Sequence, residues 1–196
     1  MAGRRQIDSF SACVSTFVVD GRKTNLALAR AILCRQAQSG LRCLVLDTNA
    51  LYSSNSDYIF APLSERQART IEILVPDPGS DLESDIASLI ASESGKTIVV
   101  DSLNSVYHLL ASHGEGHEGR KAAFVLACLS YLAHVEMRTV IVTMYQRGSA
   151  THSGGGGRVS DLSDQRFLVE VRDDSLKLKC DRGYPATPST LSIPIP

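Results

Sequence analysis

Short apolar runs alternate with longer amphipathic segments along this chain as far as residue 146. Five runs rich in β-branched and aliphatic residues predict strands: residues 13–19, 41–47, 70–75, 97–101 and 139–144. Three longer segments with apolar residues at helical spacing predict helices: residues 23–38, 81–92 and 120–135. Residues 52–63 are predicted to form a polar connection that leads into a short helix at 64–69. The alternation favours an α/β fold with a mostly parallel sheet of at least five strands, covered on both faces and with 97–101 at its centre.

The pattern changes after residue 146. A glycine-rich stretch at 148–160 is followed by period-2 alternation at 167–172 and 176–181, which predicts an antiparallel hairpin at one edge of the sheet. The last segment contains four prolines and one short apolar run, which predicts an edge strand or a tail. We therefore expect a single domain over residues 1–196, with three irregular parts: an N-terminal segment 1–10, a flexible loop 147–166 and a proline-rich segment 185–196.

Composition narrows the class of protein. The chain has 196 residues, 43% of them hydrophobic and 21% charged, which is ordinary for a globular domain. A net charge of −1 gives no whole-protein reason to expect nucleic-acid binding. The five cysteines are scattered without a C-x-x-C pair, which indicates free thiols in a reducing compartment. With no apolar leader or membrane span in the sequence, we expect a cytoplasmic protein, or a nuclear one in a eukaryote, with no membrane partner.

Residues 17–24 carry the clearest candidate chemistry. They read Phe-Val-Val-Asp-Gly-Arg-Lys-Thr and can be compared with the phosphate-binding loop G-x-x-x-x-G-K-[ST], whose backbone wraps the phosphates. Lys23 and Thr24 stand at the Lys and Ser/Thr positions of that motif, between a predicted strand and a predicted helix. Phe17 and Arg22 stand at its two glycine positions. The scaffold of a nucleotide site is therefore predicted, with an altered phosphate cradle.

The predicted nucleotide-binding residues lie at the junction of this strand and helix. Backbone amides at a helix N-terminus attract anions even without the full loop. The alternative for Lys23 is a solvated side chain in an ordinary first helical turn. ATP is the cofactor that the motif predicts, and five residues would contact it: Gly21, Arg22, Lys23, Thr24 and Asn25.

Several segments, in this order, resemble the core ATPase domain of the RecA/RadA recombinase superfamily, which includes the KaiC-like proteins. The resemblance covers roughly residues 10–195. The matching pieces are the first helix at 23–32, the second strand at 44–51, the Walker B strand at 97–103, the strand at 139–143 that leads into the second DNA-binding loop, and the C-terminal hairpin with the proline-containing segment beyond it. The resemblance implies a RecA-like P-loop NTPase fold with a mostly parallel central sheet and a C-terminal antiparallel β-hairpin. We expect a stand-alone core that lacks the N-terminal domain of many members.

The resemblance also assigns a magnesium site and shows where this chain departs from the family. Asp101 stands at the position that orders the water shell of Mg²⁺, together with Thr24, although an Asp at a strand end also commonly caps the next helix. Asn49 stands where the family has its catalytic Glu, and an amide cannot act as a base near neutral pH. The γ-phosphate-sensing Asn-Gln pair is replaced by Met144 and Tyr145. No catalytic residue is therefore predicted, and ATPase activity is expected to be weak at most.

Two loops carry further candidate residues. The loop at 147–166 resembles the second DNA-binding loop in position, and Arg147, Arg158 and Arg166 are its candidate nucleic-acid contacts. A connector without a binding role is the alternative. The spacing H-x-E-x-H at 113–117 could serve a metal ion, but a solvated loop fits it better because no further ligand cluster is visible.

Together these features predict an ATP-binding or ATPase-deficient accessory protein in recombinational DNA repair. Its expected partners are a RecA-like protein or a second copy of itself, and single-stranded DNA. One alternative is a slow DNA-dependent ATPase that takes its base from Glu65 or Glu72. The other is a catalytically dead scaffold, similar to the RecA-like subunits of the Elongator complex, with a tRNA or protein role.

Overall fold

One mixed sheet organises this protein, of which a computed structural model describes residues 12–76, 97–112, 118–146, 163–183 and 189–196, together with Ser84 and Ser88. Its strands are β1 (Val14–Val19), β2 (Cys43–Asp47), β3 (Ile71–Leu74), β4 (Thr97–Asp101), β5 (Thr139–Tyr145), β6 (Gln165–Arg172), β7 (Ser175–Arg182) and β8 (Thr190–Pro194). The described helices are α1 (Arg22–Gln38), α2 (Ser56–Phe60), α3 (Glu65–Ala68), α4 (Leu103–Ser112) and α5 (Glu118–His134), and a 3₁₀ turn lies at Ser53–Asn55.

The strand order is β3-β2-β4-β5-β1-β6-β7-β8. The first six strands in this order pair in parallel, and β7 and β8 are antiparallel. The predicted mostly parallel sheet is confirmed, with β4 between β2 and β5. The predicted hairpin is confirmed as β6 and β7, but its place at the sheet edge is wrong. Strand β8 pairs with the outer side of β7, so the proline-rich segment supplies the edge strand.

The sheet separates two hydrophobic cores. Because side chains alternate across a strand, β1 sends Val14 to one face and Phe17 to the other. Helix α1 packs on the Phe17 face, where residues such as Leu28 are fully buried. Helices α4 and α5 pack on the Val14 face, where Leu129 is a central contact. The result is the three-layer arrangement expected for parallel strands with helical crossovers.

The end of α1 is fixed by Gly40. Its φ of 73° lies in the left-handed region, which glycine adopts without steric cost. The Gly40 N–H donates to the Ala37 carbonyl at 3.0 Å, and the Leu41 N–H donates to the Gln36 carbonyl at 3.0 Å. This is a Schellman cap, and it confirms that the helix ends at Ser39 and Gly40.

Two helical segments were not predicted. Residues 52–63 do not form a polar connection, because they contain the 3₁₀ turn and α2, in which Ile59 is fully buried. Helix α4 follows β4 directly, and the Ser102 hydroxyl accepts a hydrogen bond from the Ser105 N–H at 3.3 Å as its N-terminal cap. Both helices are short, with polar residues outside and a few apolar residues inside, so periodicity alone missed them.

Several predicted features fall outside the described residues. The segment 113–117 and nearly all of 147–166 lie there, and of the predicted helix 81–92 only Ser84 and Ser88 are described, both helical. Among the helices that are described, none is long and apolar enough to cross a membrane.

Phe17 should be essential to the fold because its ring is fully buried and stacks on Phe167. Phe17→Ala should lower the free energy of unfolding by about 3–5 kcal/mol, as for other large-to-small core changes. Urea denaturation followed by circular dichroism measures this loss. Phe60→Ala, on the half-buried end of α2, is the matched control and should cost clearly less. Equal losses in the two variants would contradict the assignment.

Candidate functional site

The connection between β1 and α1 contains only Asp20 and Gly21, since β1 continues to Val19 and α1 begins at Arg22. Phe17, at the first glycine position of the motif, lies inside the strand, with its ring centroid 5.3 Å from that of Phe167. Gly21 is extended, with φ of −178°, and a Cβ added there would meet no described atom within 4 Å. Phe17, Val18 and Val19, which would begin the wrap around a phosphate in a phosphate-binding loop, are strand residues in this protein.

The first turn of α1 keeps part of an anion-binding character. Its sequence, Arg-Lys-Thr-Asn, holds no acidic residue, and the Arg22 and Lys23 side chains are exposed. The first backbone N–H groups of a helix have no partner within the helix and carry the positive end of its dipole. Thr24, by contrast, is only 7% exposed. The surface of this turn can therefore attract an anion, whereas its inner side is buried.

Asn25 is the centre of a buried hydrogen-bond network beneath this turn. Its side-chain Nδ2 donates to Asp101 Oδ1 at 2.7 Å and to the Tyr145 hydroxyl at 2.8 Å. Its Oδ1 accepts from the Tyr52 hydroxyl at 2.8 Å. Asn25 itself is fully buried. One amide thus joins α1 to β4, to the end of β5 and to the turn after β2.

Asp101 is fully buried at the end of β4 and is committed to this network. Its Oδ1 accepts a second hydrogen bond, from Thr143 Oγ1 at 2.6 Å. Its Oδ2 is buried and has no hydrogen-bond partner among the described residues. Burial raises the pKa of the Asp101 carboxyl, and the hydrogen bonds from Thr143 and Asn25 partly offset that rise.

Asp47, at the end of β2, holds the turn that positions Tyr52. Its carboxylate accepts backbone N–H groups from Leu51 at 2.9 Å, from Tyr52 at 3.0 Å and from Ser53 at 2.8 Å. Burial, together with the negative charge of Asp101, raises the pKa of the Tyr52 hydroxyl, so Tyr52 stays protonated and donates to Asn25. Asp47 therefore has a structural task, and its oxygens are already used.

Asn49 and Tyr145, which the sequence comparison set against catalytic residues, lie near the network. Asn49 accepts the Leu51 N–H at 3.0 Å and lies close enough to Asp101 and Tyr145 to affect the pKa of both. The Tyr145 backbone N–H donates to the Asn104 side chain at 2.8 Å, which fixes the end of β5 against α4. An amide and a phenol therefore occupy the neighbourhood where a carboxylate base would be needed.

The alternative bases lie elsewhere. The Glu65 carboxylate is on α3, its side chain is 81% exposed, and it forms an ion pair with Arg69 one helical turn away. Glu72 lies on the edge strand β3, beside Leu44, with its side chain exposed. Both carboxylates therefore face solvent, whereas the Asn25–Asp101 network is buried.

A groove of about 830 Å³ runs along the outside of α1 from Lys23 and Thr24 to the turn between β6 and β7. Lys23 and Arg30 line one part of it, and Asp173 and Asp174 line another. The guanidinium of Arg30 stacks over the Tyr58 ring, 4.6 Å from its centroid. Because acids and bases share this groove, a triphosphate bound at Lys23 would lie within the field of two carboxylates.

The predicted nucleic-acid residues are only partly described. Arg147 and Arg158 lie outside the described residues. Arg166 is on β6, and its guanidinium forms an ion pair and hydrogen bonds with the Asp181 carboxylate on β7. A nucleic-acid phosphate would have to compete with Asp181 for Arg166.

The residues around Lys23 and Asp101 do not fit a nucleotide and Mg²⁺ bound in the way that a phosphate-binding loop binds them. The cradle is replaced by a strand, and Mg²⁺ normally keeps several waters that a fully buried carboxylate cannot accommodate. The amide of Asn25 already occupies Asp101 Oδ1. Over the described part of the chain, no three His, Cys, Asp or Glu side chains are grouped to hold a metal ion. ATP binding at residues 21–25, and Mg²⁺ at Thr24 and Asp101, stay predictions.

Sequence reasoning did not anticipate the roles of Tyr52, Thr143 and Tyr145. Each lies at the carboxyl end of a strand or just after it, which is where ligand sites of open α/β sheets form. Tyr145 was identified only as a departure from the family pair. A polar residue buried next to a strand end is a usable signal, but its partner is visible only in three dimensions.

Comparisons with known proteins give the fold. No protein-family model and no curated protein matches the sequence. Among solved structures, the chain is similar to the RadB recombinase, with a TM-score of 0.66 and 15% identity over 96% of this chain and 91% of that one. It is also similar to a KaiC-like protein from the hyperthermophilic archaeon Pyrococcus horikoshii OT3, with a TM-score of 0.63 and 13% identity over 94% of this chain and 85% of that one. The chain thus has the RecA-like α/β fold, as its motifs predicted.

The buried carboxyl of Asp101 should make stability depend on pH. Because its pKa is raised in the folded state, the folded protein takes up a proton more readily than the unfolded chain. Its contribution to stability is therefore largest at low pH and is lost as pH rises through the folded pKa. The free energy of unfolding of the wild type, measured relative to that of Asp101→Asn, should therefore increase as pH falls from neutral toward the ordinary Asp pKa of about 3.9.

Urea unfolding at a series of pH values measures this difference. Asp57→Asn, which removes an exposed carboxyl on α2, is the control for the general effect of losing one acid. A wild-type-minus-variant difference that stays flat with pH would show that Asp101 is not held in a desolvated state.

Proposed function

We propose that this chain is an ATPase-deficient accessory protein of recombinational DNA repair, which acts by assembling with a RecA-like partner or with a second copy of itself. The observation that carries the proposal is the hydrogen bond from Asn25 Nδ2 to Asp101 Oδ1 at 2.7 Å, inside a fully buried network. The similarity in fold to a protein named as a recombinase supports the choice of pathway.

Hydrolysis of ATP needs a phosphate cradle, a metal ion and a base that positions water. In this chain, Phe17 is a core residue where the cradle would begin. Asp101 is bonded to an amide and a hydroxyl where a metal would be ordered. Asn49 cannot accept a proton near neutral pH. All three deficits affect the same reaction, so no single substitution restores it.

A nucleotide in this proposal contacts the surface turn of α1 and is not turned over. Arg22 and Lys23 are exposed there and face outward with the positive end of the helix dipole. Such an interaction uses charge and does not use Asp101, so it requires no Mg²⁺. Asp173 and Asp174 across the groove weaken it. ATP is therefore a weak ligand in this proposal, and its hydrolysis does not drive the protein's activity.

Contact with single-stranded DNA is assigned to the loop at 147–166. Arg147 and Arg158 supply the phosphate contacts, because arginine on a glycine-rich segment suits phosphate recognition. Arg166 contributes less, since its guanidinium is held by Asp181. Binding through a few arginines is sequence-independent and depends strongly on salt.

ATP turnover by the purified protein should equal the buffer background, with or without single-stranded DNA. Loss of the positioned base alone removes about 10²–10⁴ in rate. Phosphate release measures turnover, and an active RecA-like recombinase is the positive control. The Lys23→Ala variant tests whether any turnover comes from the site at α1. Thermal shifts caused by ATP should be small and equal with Mg²⁺ or with EDTA. Turnover that Lys23→Ala abolishes would contradict the proposal.

Single-stranded DNA binding should weaken when Arg147 and Arg158 are both replaced by Ala. The slope of log K against log salt should fall by about 0.7 for each DNA phosphate that the variant no longer neutralises. Fluorescence anisotropy over a salt series measures both quantities. Arg172→Ala, which removes an exposed arginine paired with Glu170 on β6, is the matched control and should change neither. Unchanged binding in the double variant would remove the loop from the proposal, and tighter binding of tRNA would favour the scaffold alternative.

A further inference from the structure

Helix α5 carries a second apolar face that is exposed in the described part of the fold. Its core-facing residues, such as Val125 and Leu129, are buried under the sheet. Several other apolar side chains on α5 and just after it are exposed. We call them the outer stripe: Phe124 (51% exposed), Ala127, Tyr131 (47%), Val135 (63%) and Met137 (69%).

The outer stripe is concentrated and has helical spacing. Seven large hydrophobic side chains are exposed in the described residues, and four of them belong to this stripe. The steps from Phe124 to Ala127, Tyr131 and Val135 are three, four and four residues, which keeps them on one side of a helix. This is the spacing of a seam along which one helix packs on another. Scattered exposed apolar residues need no explanation, but a contiguous seam does.

We propose that the outer stripe binds the same stripe of a second copy of this chain, with the two α5 helices antiparallel about a two-fold axis near Ala127. The inference deepens the self-association in the proposed function and rests on it. It uses no nucleotide site and no residue of the Asn25 network.

The order of side-chain sizes along the stripe favours this partner. Phe124 and Tyr131 are large, and Ala127 and Cys128 between them are small. A two-fold contact is self-complementary, so each residue faces the position related to it by the axis. With the axis between Ala127 and Cys128, Phe124 of one copy faces Tyr131 of the other. The small residues at the centre let the two helices approach closely.

The charges around the stripe also favour a second copy. In a two-fold contact, a charged residue near the axis lies close to the same residue of the other copy, and the two like charges repel each other. The charged residues of α5, Glu118, Arg120 and Lys121, precede Phe124, and no charged residue lies between Phe124 and Tyr131. At the end of the stripe, Arg138 donates a hydrogen bond to Glu136 at 2.8 Å, so these opposite charges neutralise each other locally. A partner selected by charge would need an unbalanced charge here.

The exposed area is the right size for the centre of a weak interface. Half-exposed aromatic rings and two more exposed aliphatic side chains offer about 400 Å² of apolar surface per chain. Two copies would bury about 800 Å², which is about half of a standard interface before any polar rim is counted. A reversible dimer is therefore expected.

Sedimentation over a range of concentrations tests the dimer. The full chain should show a monomer–dimer equilibrium, and Tyr131→Glu should weaken the dimer by about 30-fold or more, as for a central interface residue. Tyr58→Glu changes an equally exposed tyrosine on α2 (44% against 47%) and should leave the equilibrium unchanged. The double variant Phe124→Lys/Tyr131→Glu should regain part of the affinity, because each lysine would then face the glutamate of the other copy.

Cross-linking tests whether Ala127 lies at the centre of the contact, whereas the charge exchange between Phe124 and Tyr131 tests the antiparallel arrangement. In a background with Cys128 and Cys180 changed to Ser, Ala127→Cys should be joined to its own copy by a short bismaleimide. Ala61→Cys, an exposed alanine after α2, should not be joined. A monomer at all concentrations, or a dimer that Tyr131→Glu leaves intact, would overturn the proposal. Dimers without the Ala127→Cys cross-link would overturn the placement of the axis near Ala127, and a double variant that regains no affinity would overturn the antiparallel arrangement. None of these outcomes depends on ATP, on DNA or on a RecA-like partner, so failure here is distinct from failure of the proposed repair role.

Discussion

The structure at this end of the sheet depends on a single buried amide. Asn25 joins α1 to Asp101 on β4, to Tyr145 on β5 and to Tyr52 after β2, with all three distances between 2.7 and 2.8 Å. A buried polar network is stabilising when its members are satisfied and costly when one is removed, because the remaining groups stay desolvated. The amide therefore ties the start of α1 to three parts of the sheet end, on the sheet that also buries Phe17 and Phe167.

The same amide occupies the carboxylate to which the resemblance assigns a magnesium role. A carboxylate that orders a hydrated metal ion has to reach water, whereas Asp101 is fully buried and receives donors from Asn25 and Thr143. Burial raises the pKa of Asp101, and the hydrogen bonds from Thr143 and Asn25 partly offset that rise. The substitutions in the phosphate loop are consistent with this arrangement, since a strand that continues through Phe17 packs a core where a loop would leave space.

The sequence predicted those parts of the fold that depend on local patterns. The β-branched run at 97–101 and the alternation around Asp173 and Asp174 specify strands without reference to the rest of the chain. Lys23 and Thr24 were correctly placed where a strand meets a helix. The network was not predictable in the same way. Its members are separated by up to 120 residues, and each is an ordinary polar residue until the sheet brings them together. Helix α2 was missed because only one of its five residues, Ile59, is buried.

The two surfaces of this protein suggest how it could assemble without turnover. An enzyme that couples hydrolysis to assembly can make and release contacts as its nucleotide changes. In the proposed function this chain has no such cycle, because Asp101 accepts a hydrogen bond from Asn25, and its contacts would be governed by ordinary equilibrium binding. As proposed, the outer stripe on α5 would supply affinity that depends little on salt or nucleotide, whereas Arg147 and Arg158 would supply DNA contacts that depend strongly on salt. Assembly and DNA binding are then independent of each other, and the concentrations of protein, partner and DNA determine which complex forms.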